Sequence, residues 1–133
     1  MSLILHTDGG ARGNPGPGAA GIVVENEAGE VVKELGIFLG HCTNNEAEYK
    51  ALIKGLGIVK ELGASSVSCF LDSELVVRQL NGQYKVKNLS MRKFFDEVAA
   101  IRKTFEHIEF LHVPREKNKD ADKLVNEVLD ANK

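Results

Sequence analysis

The spacing of apolar residues divides the chain into two parts. Over roughly the first forty residues, apolar residues form three short runs separated by turn residues, which predicts strands. The three predicted strands cover residues 3–7, 20–25 and 31–39. Because only turns join them, we expect these strands to pair as an antiparallel meander.

The second part of the chain alternates helices with strands. Apolar residues three and four positions apart predict four helices, at residues 43–62, 73–80, 89–105 and 119–131. Two further strands are predicted at residues 67–71 and 108–113. Gly63 is placed to end the first helix, and Asn118 is expected to cap the last one.

The order β-β-β-α-β-α-α-β-α indicates an α/β fold. We expect one five-stranded mixed sheet flanked by helices. Strands 1 to 3 would form the antiparallel meander. Strands 1, 4 and 5 would run parallel, since helices connect them by right-handed crossovers. The length of 133 residues fits a single domain, residues 1–133, with one core.

Composition narrows the class of protein. Hydrophobic residues make up 43% and charged residues 27% of the chain, an ordinary globular mixture. No apolar run approaches the length of a membrane span, and the N-terminus lacks the layout of a signal peptide. We therefore expect a cytoplasmic protein without membrane contact. Cys42 and Cys69 lack a metal-ligand spacing and are expected to be buried free thiols.

The net charge of −2 argues against a protein that binds nucleic acid by bulk electrostatics alone. The basic residues are unevenly distributed, however. Between Leu75 and Phe95 there is no acidic residue, and the five basic ones are Arg78, Lys85, Lys87, Arg92 and Lys93. Such a run is either a solvated face or a track for a phosphate backbone. Tyr84 offers a ring that could stack on a base or a sugar.

Glu48 is the carboxylate that periodicity marks as out of place. In the first predicted helix it falls near the centre of the apolar face, whereas Glu46 points to the opposite side. Glu46 has a structural explanation, because Thr43 and Glu46 form a capping-box pattern. A carboxylate on an inward face costs several kcal/mol unless it is paired or binds a metal. The alternative is that the first helical turn overhangs the sheet, so that Glu48 reaches water.

Three aspartates are further candidates by position. Asp8 and Asp72 each follow an apolar strand, and ligands gather where parallel strands end. Asp72 could instead cap the short helix that begins at Ser73. Asp122 lies at the edge of the apolar face of the last helix. Asp120 flanks the other edge, and periodicity cannot choose between the two.

The chain has candidate carboxylates but no Cys/His cluster, no P-loop and no G-x-G-x-x-G motif. This combination restricts the metals that the protein could use. Hard oxygen ligands select Mg²⁺ or Mn²⁺ over zinc. Two such ions about 4 Å apart can activate water and stabilise a departing oxygen in phosphodiester cleavage. The ions would also supply the positive charge that a mildly acidic protein needs in order to hold a polyanion.

Five motifs, in order along nearly the whole chain, resemble type 1 ribonuclease H. They are TDGG at residues 7–10, GNPGPG at 13–18, TNNEAE at 43–48, DS at 72–73 and ADKL at 121–124. Each motif is weak alone, but five in register on a matching order of strands and helices are specific. The resemblance implies a ribonuclease H-like fold and an endoribonuclease that cleaves the RNA strand of RNA/DNA hybrids.

The resemblance also assigns metal ligands. The matching carboxylates are Asp8, Glu48, Asp72 and Asp122, which selects Asp122 over Asp120. By resemblance, Asp8 would bridge two Mg²⁺ ions, or Mn²⁺ as a substitute. Asp122 would help to hold the ion that activates water, and Glu48 and Asp72 the ion facing the leaving 3′ oxygen. Cleavage would leave 5′-phosphate and 3′-hydroxyl ends.

Six further positions would contact the hybrid by resemblance: Gly9, Gly10, Asn14, Thr43, Asn44 and Asn45. The three asparagines would reach its grooves, and Thr43 would form part of a phosphate pocket for the DNA strand. The glycine backbones would approach RNA 2′-hydroxyls, which distinguish RNA from DNA. Thr43 also suits an N-cap and Asn14 a turn, so we expect dual roles for these two residues.

The chain departs from the family's pattern in two places. Many members carry a lysine- and tryptophan-rich helical protrusion after the third catalytic position, whereas residues 80–87 here form a short segment without tryptophan. Either the affinity for the hybrid would be lower, or the hybrid would rest on the compact basic face from Arg78 to Lys93, which includes Lys85 and Lys87. The family often places a histidine before the last helix to assist product release. Residues 113–118 contain none, and Arg115 or Glu116 would take its place.

Other functions are compatible with the residues alone. A protein of the same fold could cleave duplex DNA or double-stranded RNA, or bind hybrids without catalysis. The complete set of carboxylates argues against a non-catalytic module, and a plain structural domain would leave Glu48 unexplained. The expected partner is an RNA/DNA hybrid, with no obligatory protein partner.

Overall fold

The computed structural model describes residues 1–133, and its elements follow the order expected from the apolar spacing. The five strands are β1 (Ser2–Ala11), β2 (Gly16–Glu25), β3 (Val31–Cys42), β4 (Ser66–Leu71) and β5 (His107–His112). The four α-helices are α1 (Asn44–Glu61), α2 (Glu74–Leu80), α3 (Leu89–Arg102) and α4 (Lys119–Ala131). A short 3₁₀ turn, Arg115–Lys117, precedes α4.

The strands form one mixed sheet in the order β3-β2-β1-β4-β5. The pairs β1–β2 and β2–β3 are antiparallel, whereas β4 runs parallel to both β1 and β5. The predicted meander and the parallel set of strands 1, 4 and 5 are therefore confirmed, and so is the α/β class. β1 is the central strand, which places its residues between the helical layers.

Helices cover both faces of the sheet. The larger core lies between the sheet and α1, with α3 packed beside α1, and includes the fully buried Leu5, Leu52 and Leu56. On the other face, Val125 and Leu129 of α4 pack against Ala19. No helix combines the length and the apolar character needed to traverse a bilayer.

β2 has a glycine where α4 crosses it. A Cβ atom on Gly21 would lie 2.0 Å from the carbonyl oxygen of Ala121. The close approach of the helix backbone to the strand therefore depends on the missing side chain. This contact fixes the start of α4, the helix that carries Asp122, against the middle of the sheet.

Several expected boundaries were wrong. β2 begins at Gly16 and not at residue 20, and β3 ends at Cys42 and not at residue 39. β1 does not end before Asp8, because Gly9, Gly10 and Ala11 still pair with β2. Asp8 therefore lies inside β1, at the point where pairing with β4 stops. The third helix does not reach residue 105 but ends at Arg102, and the hydroxyl of Thr104 donates to the Ile101 carbonyl just beyond it.

The expected capping role of Asn118 was also wrong. Asn118 occupies the N-cap position of α4, but its side chain makes no capping hydrogen bond. Its Nδ2 instead donates to the carbonyl oxygen of Thr7 at 2.9 Å. Thr7 is the last β1 residue aligned with β4, so the amide takes the place of the strand partner that β1 loses there. The buried side chain ties the start of α4 to the residue before Asp8.

Both cysteines, Cys42 and Cys69, are buried and unpaired, as expected. Burial raises the pKa of each thiol. Because the thiolate is the reactive form, these residues act as small apolar groups of the core.

Candidate active site

Three carboxylates from different elements converge at one edge of the sheet. Asp8 lies in β1, Asp72 directly follows β4, and Glu48 lies in α1. Each offers one carboxylate oxygen, and these oxygens lie within 4.8 Å of one another. Parallel pairing produces the arrangement, since Thr7 is aligned with Leu71 and an aspartate follows each of these two residues in the chain.

Glu48 faces the interior of this cluster. The residue is only 8% exposed, and its Oε2 atom is buried without a hydrogen-bond partner. Burial, and then the charges of Asp8 and Asp72, raise the pKa of Glu48 well above its ordinary value. The inward orientation expected from helical periodicity is confirmed, and the alternative that Glu48 reaches water is wrong.

A capped turn and a glycine hold Glu48 in place. The Thr43 Oγ1 atom accepts from the Glu46 backbone N–H at 3.1 Å, and the Glu46 Oε1 atom accepts from the Thr43 N–H at 2.8 Å. The predicted capping box is therefore present. On the strand side, a Cβ atom on Gly9 would lie 2.2 Å from the Ala47 carbonyl oxygen. The first turns of α1 thus rest directly on the β1 backbone.

Asp8 is subject to the same kind of electrostatic conflict as Glu48. It is 6% exposed, and burial, followed by the charge of Asp72 and the neighbouring Asp122, raises the pKa of Asp8 to about 8. Near neutral pH, these carboxyl groups cannot all ionise without a compensating cation. The cluster is therefore electrostatically suited to a divalent ion.

Asp72 is not used as a helix cap. The N-cap of α2 is Ser73, whose side chain accepts from the Val76 N–H at 3.3 Å. The capping explanation considered for Asp72 is wrong, because its neighbour performs that role. The Asp72 carboxylate is left to face the cluster.

Asp122 lies outside the set of three clustered carboxylates but lines the same groove from the opposite layer, and Asp120 does not. Asp122 lines a groove of about 420 Å³ together with the other three carboxylates. Asp120 lines a separate groove beside Glu25. The geometry thus distinguishes two residues that helical periodicity could not separate.

The four-carboxylate groove also holds two arginines. Arg115 Nη2 lies 3.1 Å from Asp122 Oδ1, and the Arg115 side chain is 77% exposed. Arg12 Nη1 lies 2.7 Å from Asp130 Oδ1. Glu116, the other candidate for an auxiliary role, lines the separate groove with Asp120 and not this one. Arg12 could not be identified from the sequence, because it stands in a turn-rich loop without apolar periodicity.

The loop residues expected to contact substrate brace one another. Asn14 Oδ1 accepts from the Asn44 N–H at 3.0 Å, and Asn44 Oδ1 accepts from the Ala11 N–H at 2.9 Å. Gly9 and Gly10 line the groove. Asn44 is thus held beside the carboxylates, while Asn45 is half-buried one residue further along α1.

The basic face is exposed and partly paired. Arg78 Nε lies 3.1 Å from Glu74 Oε1, and its guanidinium stands over the Tyr84 ring at 5.5 Å. Lys85 and Lys87 are exposed. The contact of this face with a hybrid stays a prediction.

The fold and the site together define an α/β protein with an acidic groove suited to a divalent cation. The central strand and the helices on both faces of the sheet build this groove. A family model described as reverse transcriptase-like matches residues 6–128. RNase H1 from Halobacterium salinarum NRC-1 is 37% identical and superposes with a TM-score of 0.96, covering 98% of this chain and 99% of that one. The chain belongs to the type 1 ribonuclease H family.

Two further relatives define the extent of the similarity. LC11-RNase H1, solved in complex with an RNA/DNA hybrid, is 44% identical with a TM-score of 0.90, covering 94% of each chain. The bifunctional protein Rv2228c of Mycobacterium tuberculosis is 40% identical over 132 residues, which are 98% of this chain. This chain spans only 36% of the length of that relative. The expected family and fold are confirmed.

Proposed function

We propose that this protein is an endoribonuclease that cleaves the RNA strand of RNA/DNA hybrids with the help of divalent metal ions. The observation that carries the proposal is the convergence of Asp8, Glu48 and Asp72 in an open groove. The hybrid-bound LC11-RNase H1, 44% identical to this chain, supports the substrate.

The groove fits a divalent cation. The buried, unpartnered Oε2 atom of Glu48 carries a desolvation cost that a bound cation would remove. The clustered donors are carboxylate oxygens, which favour Mg²⁺, with Mn²⁺ as a substitute. The residues inferred to hold two such ions are Asp8, Glu48, Asp72 and Asp122. When bound, the ions activate a water molecule and stabilise negative charge on the departing oxygen.

The chain itself contributes rigid placement of these groups. Asp8 is fixed by the pairing of β1 with β2, and Glu48 by the capped turn of α1 that rests on Gly9. Groups that are already in position need not reorganise during the reaction, which lowers the barrier for in-line attack on a phosphodiester. The inferred products are 5′-phosphate and 3′-hydroxyl ends.

Recognition of the hybrid is inferred at the edge of the groove. Asn14 and Asn44 use their Oδ1 atoms within the protein, so each Nδ2 group can donate to a base edge or sugar. Thr43 Oγ1 accepts a hydrogen bond from the helix, and its O–H can still donate to a phosphate. We infer that Asn45 and the backbones of Gly9 and Gly10 complete this contact surface, with the 2′-hydroxyls of RNA as its distinguishing feature.

The substrate is tested by comparing labelled RNA/DNA hybrid, duplex RNA and duplex DNA, each with Mg²⁺, with Mn²⁺ and with a chelator. We expect cleavage of the RNA strand of the hybrid, dependent on the metal, and no cleavage with chelator. Equal cleavage of duplex RNA or duplex DNA would contradict hybrid specificity. Metal-independent binding without cleavage would identify a non-catalytic module instead. The cytoplasmic location and the lack of an obligatory protein partner stay predictions.

Arg115 is the better of the two candidates for the auxiliary role in product release. Its guanidinium contacts Asp122 and is largely exposed, so it can leave the carboxylate and bind the phosphate of a departing product. Glu116 lines a different groove and carries the same charge as a phosphate. We therefore infer that Arg115 takes the place of the family's loop histidine.

Arg115→Ala is expected to reduce kcat about ten- to a hundred-fold, as is typical when a partner of a metal ligand is removed. Arg115→Lys should recover part of this loss, since a single ammonium keeps the charge but not the planar fork. The measurement is kcat and KM on a labelled hybrid. A loss in Glu116→Ala, with Arg115→Ala unaffected, would transfer the role to Glu116.

A further inference from the structure

Arg12 is a cation in the acidic groove to which the proposed reaction gives no task. It stands just beyond the end of β1 and lines the groove together with Asp8 and Asn44. Its side chain is 40% exposed. The only other cationic residue lining the groove is Arg115, which contacts Asp122. Arg12 therefore supplies positive charge in a different part of the same groove.

A continuous set of contacts along α4 connects Arg12 to Asp122. The Asn126 Nδ2 group donates to the Asp122 carbonyl at 3.1 Å and lies 3.4 Å from its Oδ2 atom. The Asn126 Oδ1 atom accepts from Arg12 Nη2 at 3.4 Å, and Arg12 Nη1 reaches Asp130 at 2.7 Å. The three α4 residues are four positions apart, so they form one stripe along the helix.

We propose that Arg12 binds a phosphate of the RNA strand and that Asp130 competes with this phosphate for the guanidinium. The inference rests on the proposed function, because it requires a nucleic acid strand in the groove. An arginine presents a planar fork of donors that matches two phosphate oxygens. Asp130 is 59% exposed, and an exposed ion pair is weak, so a phosphate can replace it.

Helix geometry gives the position of the phosphate along the strand. Asn126 lies about 6 Å, and Asp130 about 12 Å, from Asp122 along the α4 axis. The Arg12 guanidinium contacts both residues and therefore lies between these limits. Successive phosphates of one strand advance about 3.4 Å along a duplex axis. For a strand that runs parallel to α4, Arg12 would meet a phosphate about two to three nucleotides from the cleaved bond.

The test compares the two halves of the Arg12–Asp130 pair. Arg12→Gln is expected to raise KM for the hybrid about five-fold, with a much smaller change in kcat. Asp130→Asn is expected to lower KM about two-fold, because the competing carboxylate is removed. Arg12→Lys should restore part of the affinity. If the pair only fastened the loop to α4, both variants would instead raise KM and lower the melting temperature together.

Salt dependence and a modified substrate provide readouts that a structural role would not change. The slope of log Kd against log salt should decrease by about one for Arg12→Gln, as expected for one lost phosphate contact. A neutral methylphosphonate at the second or third RNA linkage from the cleaved bond should weaken binding to the wild type. Arg12→Gln should not respond to that modification, as in a double-mutant cycle.

The outcomes separate this inference from the function on which it rests. A wild type that cleaves hybrid, with unchanged salt slope and equal methylphosphonate sensitivity in Arg12→Gln, overturns the role of Arg12 alone. A methylphosphonate effect confined to the DNA strand also overturns it. A wild type that neither binds nor cleaves hybrid overturns the proposed function, and the inference with it.

Discussion

Glu48→Gln is expected to reduce the rate of hybrid cleavage about a thousand-fold or more, which corresponds to the several kcal/mol that metal-assisted charge stabilisation provides. Glutamine keeps the size of the side chain but removes the negative charge from the buried, unpartnered Oε2 position. The variant should bind Mg²⁺ much more weakly. The measurements are single-turnover cleavage of a labelled hybrid and calorimetric titration of Mg²⁺.

Glu46→Gln is the matched control for this experiment. Glu46 lies two residues earlier in α1, and its Oε1 atom accepts from the Thr43 N–H in the capping box. Glutamine can fill the same capping position, so kcat should stay near the wild-type value, with a stability loss below about 1 kcal/mol. Wild-type cleavage by Glu48→Gln, or an equal loss in Glu46→Gln, would contradict the four-carboxylate site.

Glu48 could be identified from the sequence because its evidence is local. Helical periodicity assigns Glu48 and Glu46 to opposite faces of one helix, and the capping box explains only Glu46. Neither the periodicity nor the capping box requires knowledge of the rest of the fold. The order of strands and helices was predictable for the same reason, since each element shows its own period and turn residues.

The choice between Asp122 and Asp120 could not be made locally. Both flank the apolar stripe of α4, and the distinction depends on which groove each edge of the helix borders. The crossing of α4 over Gly21 decides which groove each edge of the helix borders. This crossing is a contact between residues about a hundred positions apart in the chain. Family resemblance supplied the answer that periodicity lacked.

Other features of the site depend on pairing between distant segments. Asn118 has the sequence position of a helix cap but donates to Thr7, 111 residues away. β1 extends beyond Asp8 because β2 continues to pair with it. Arg12 gains its contacts with Asn126 and Asp130 only when the first loop meets the last helix. Such contacts follow from tertiary packing and carry no local signal.

Without divalent metal, the free energy of unfolding is expected to fall by several kcal/mol as the pH rises from about 4 to about 8. The pKa of Asp8 is raised from 3.8 to about 8 in the folded protein, and the pKa of Glu48 is raised in the same direction. Between these pH values the folded chain holds protons that the unfolded chain has released.

The sign of the effect follows from proton binding. Where the folded state binds more protons, stability decreases with increasing pH. The contribution of Asp8 is fully present below its ordinary pKa of 3.8 and is lost as the pH rises through about 8. A divalent cation that binds only the folded protein reverses the loss by mass action. Mg²⁺ should therefore stabilise the protein more at pH 8 than at pH 5.

Asp8→Asn separates this effect from general pH dependence. Asparagine does not titrate and removes one of the repelling charges, so the metal-free variant should be more stable than the wild type at pH 8 by about 1 to 3 kcal/mol. Near pH 4 the two proteins should differ little. Mg²⁺ should stabilise the variant far less than the wild type.

Denaturant unfolding at several pH values, with chelator or with Mg²⁺, measures the stability at pH 8, the stability near pH 4 and the response to Mg²⁺. Parallel pH profiles for the two proteins would show that the conflict at Asp8 does not limit stability. If both proteins also responded equally to Mg²⁺, that result would remove the electrostatic argument for a cation in this groove.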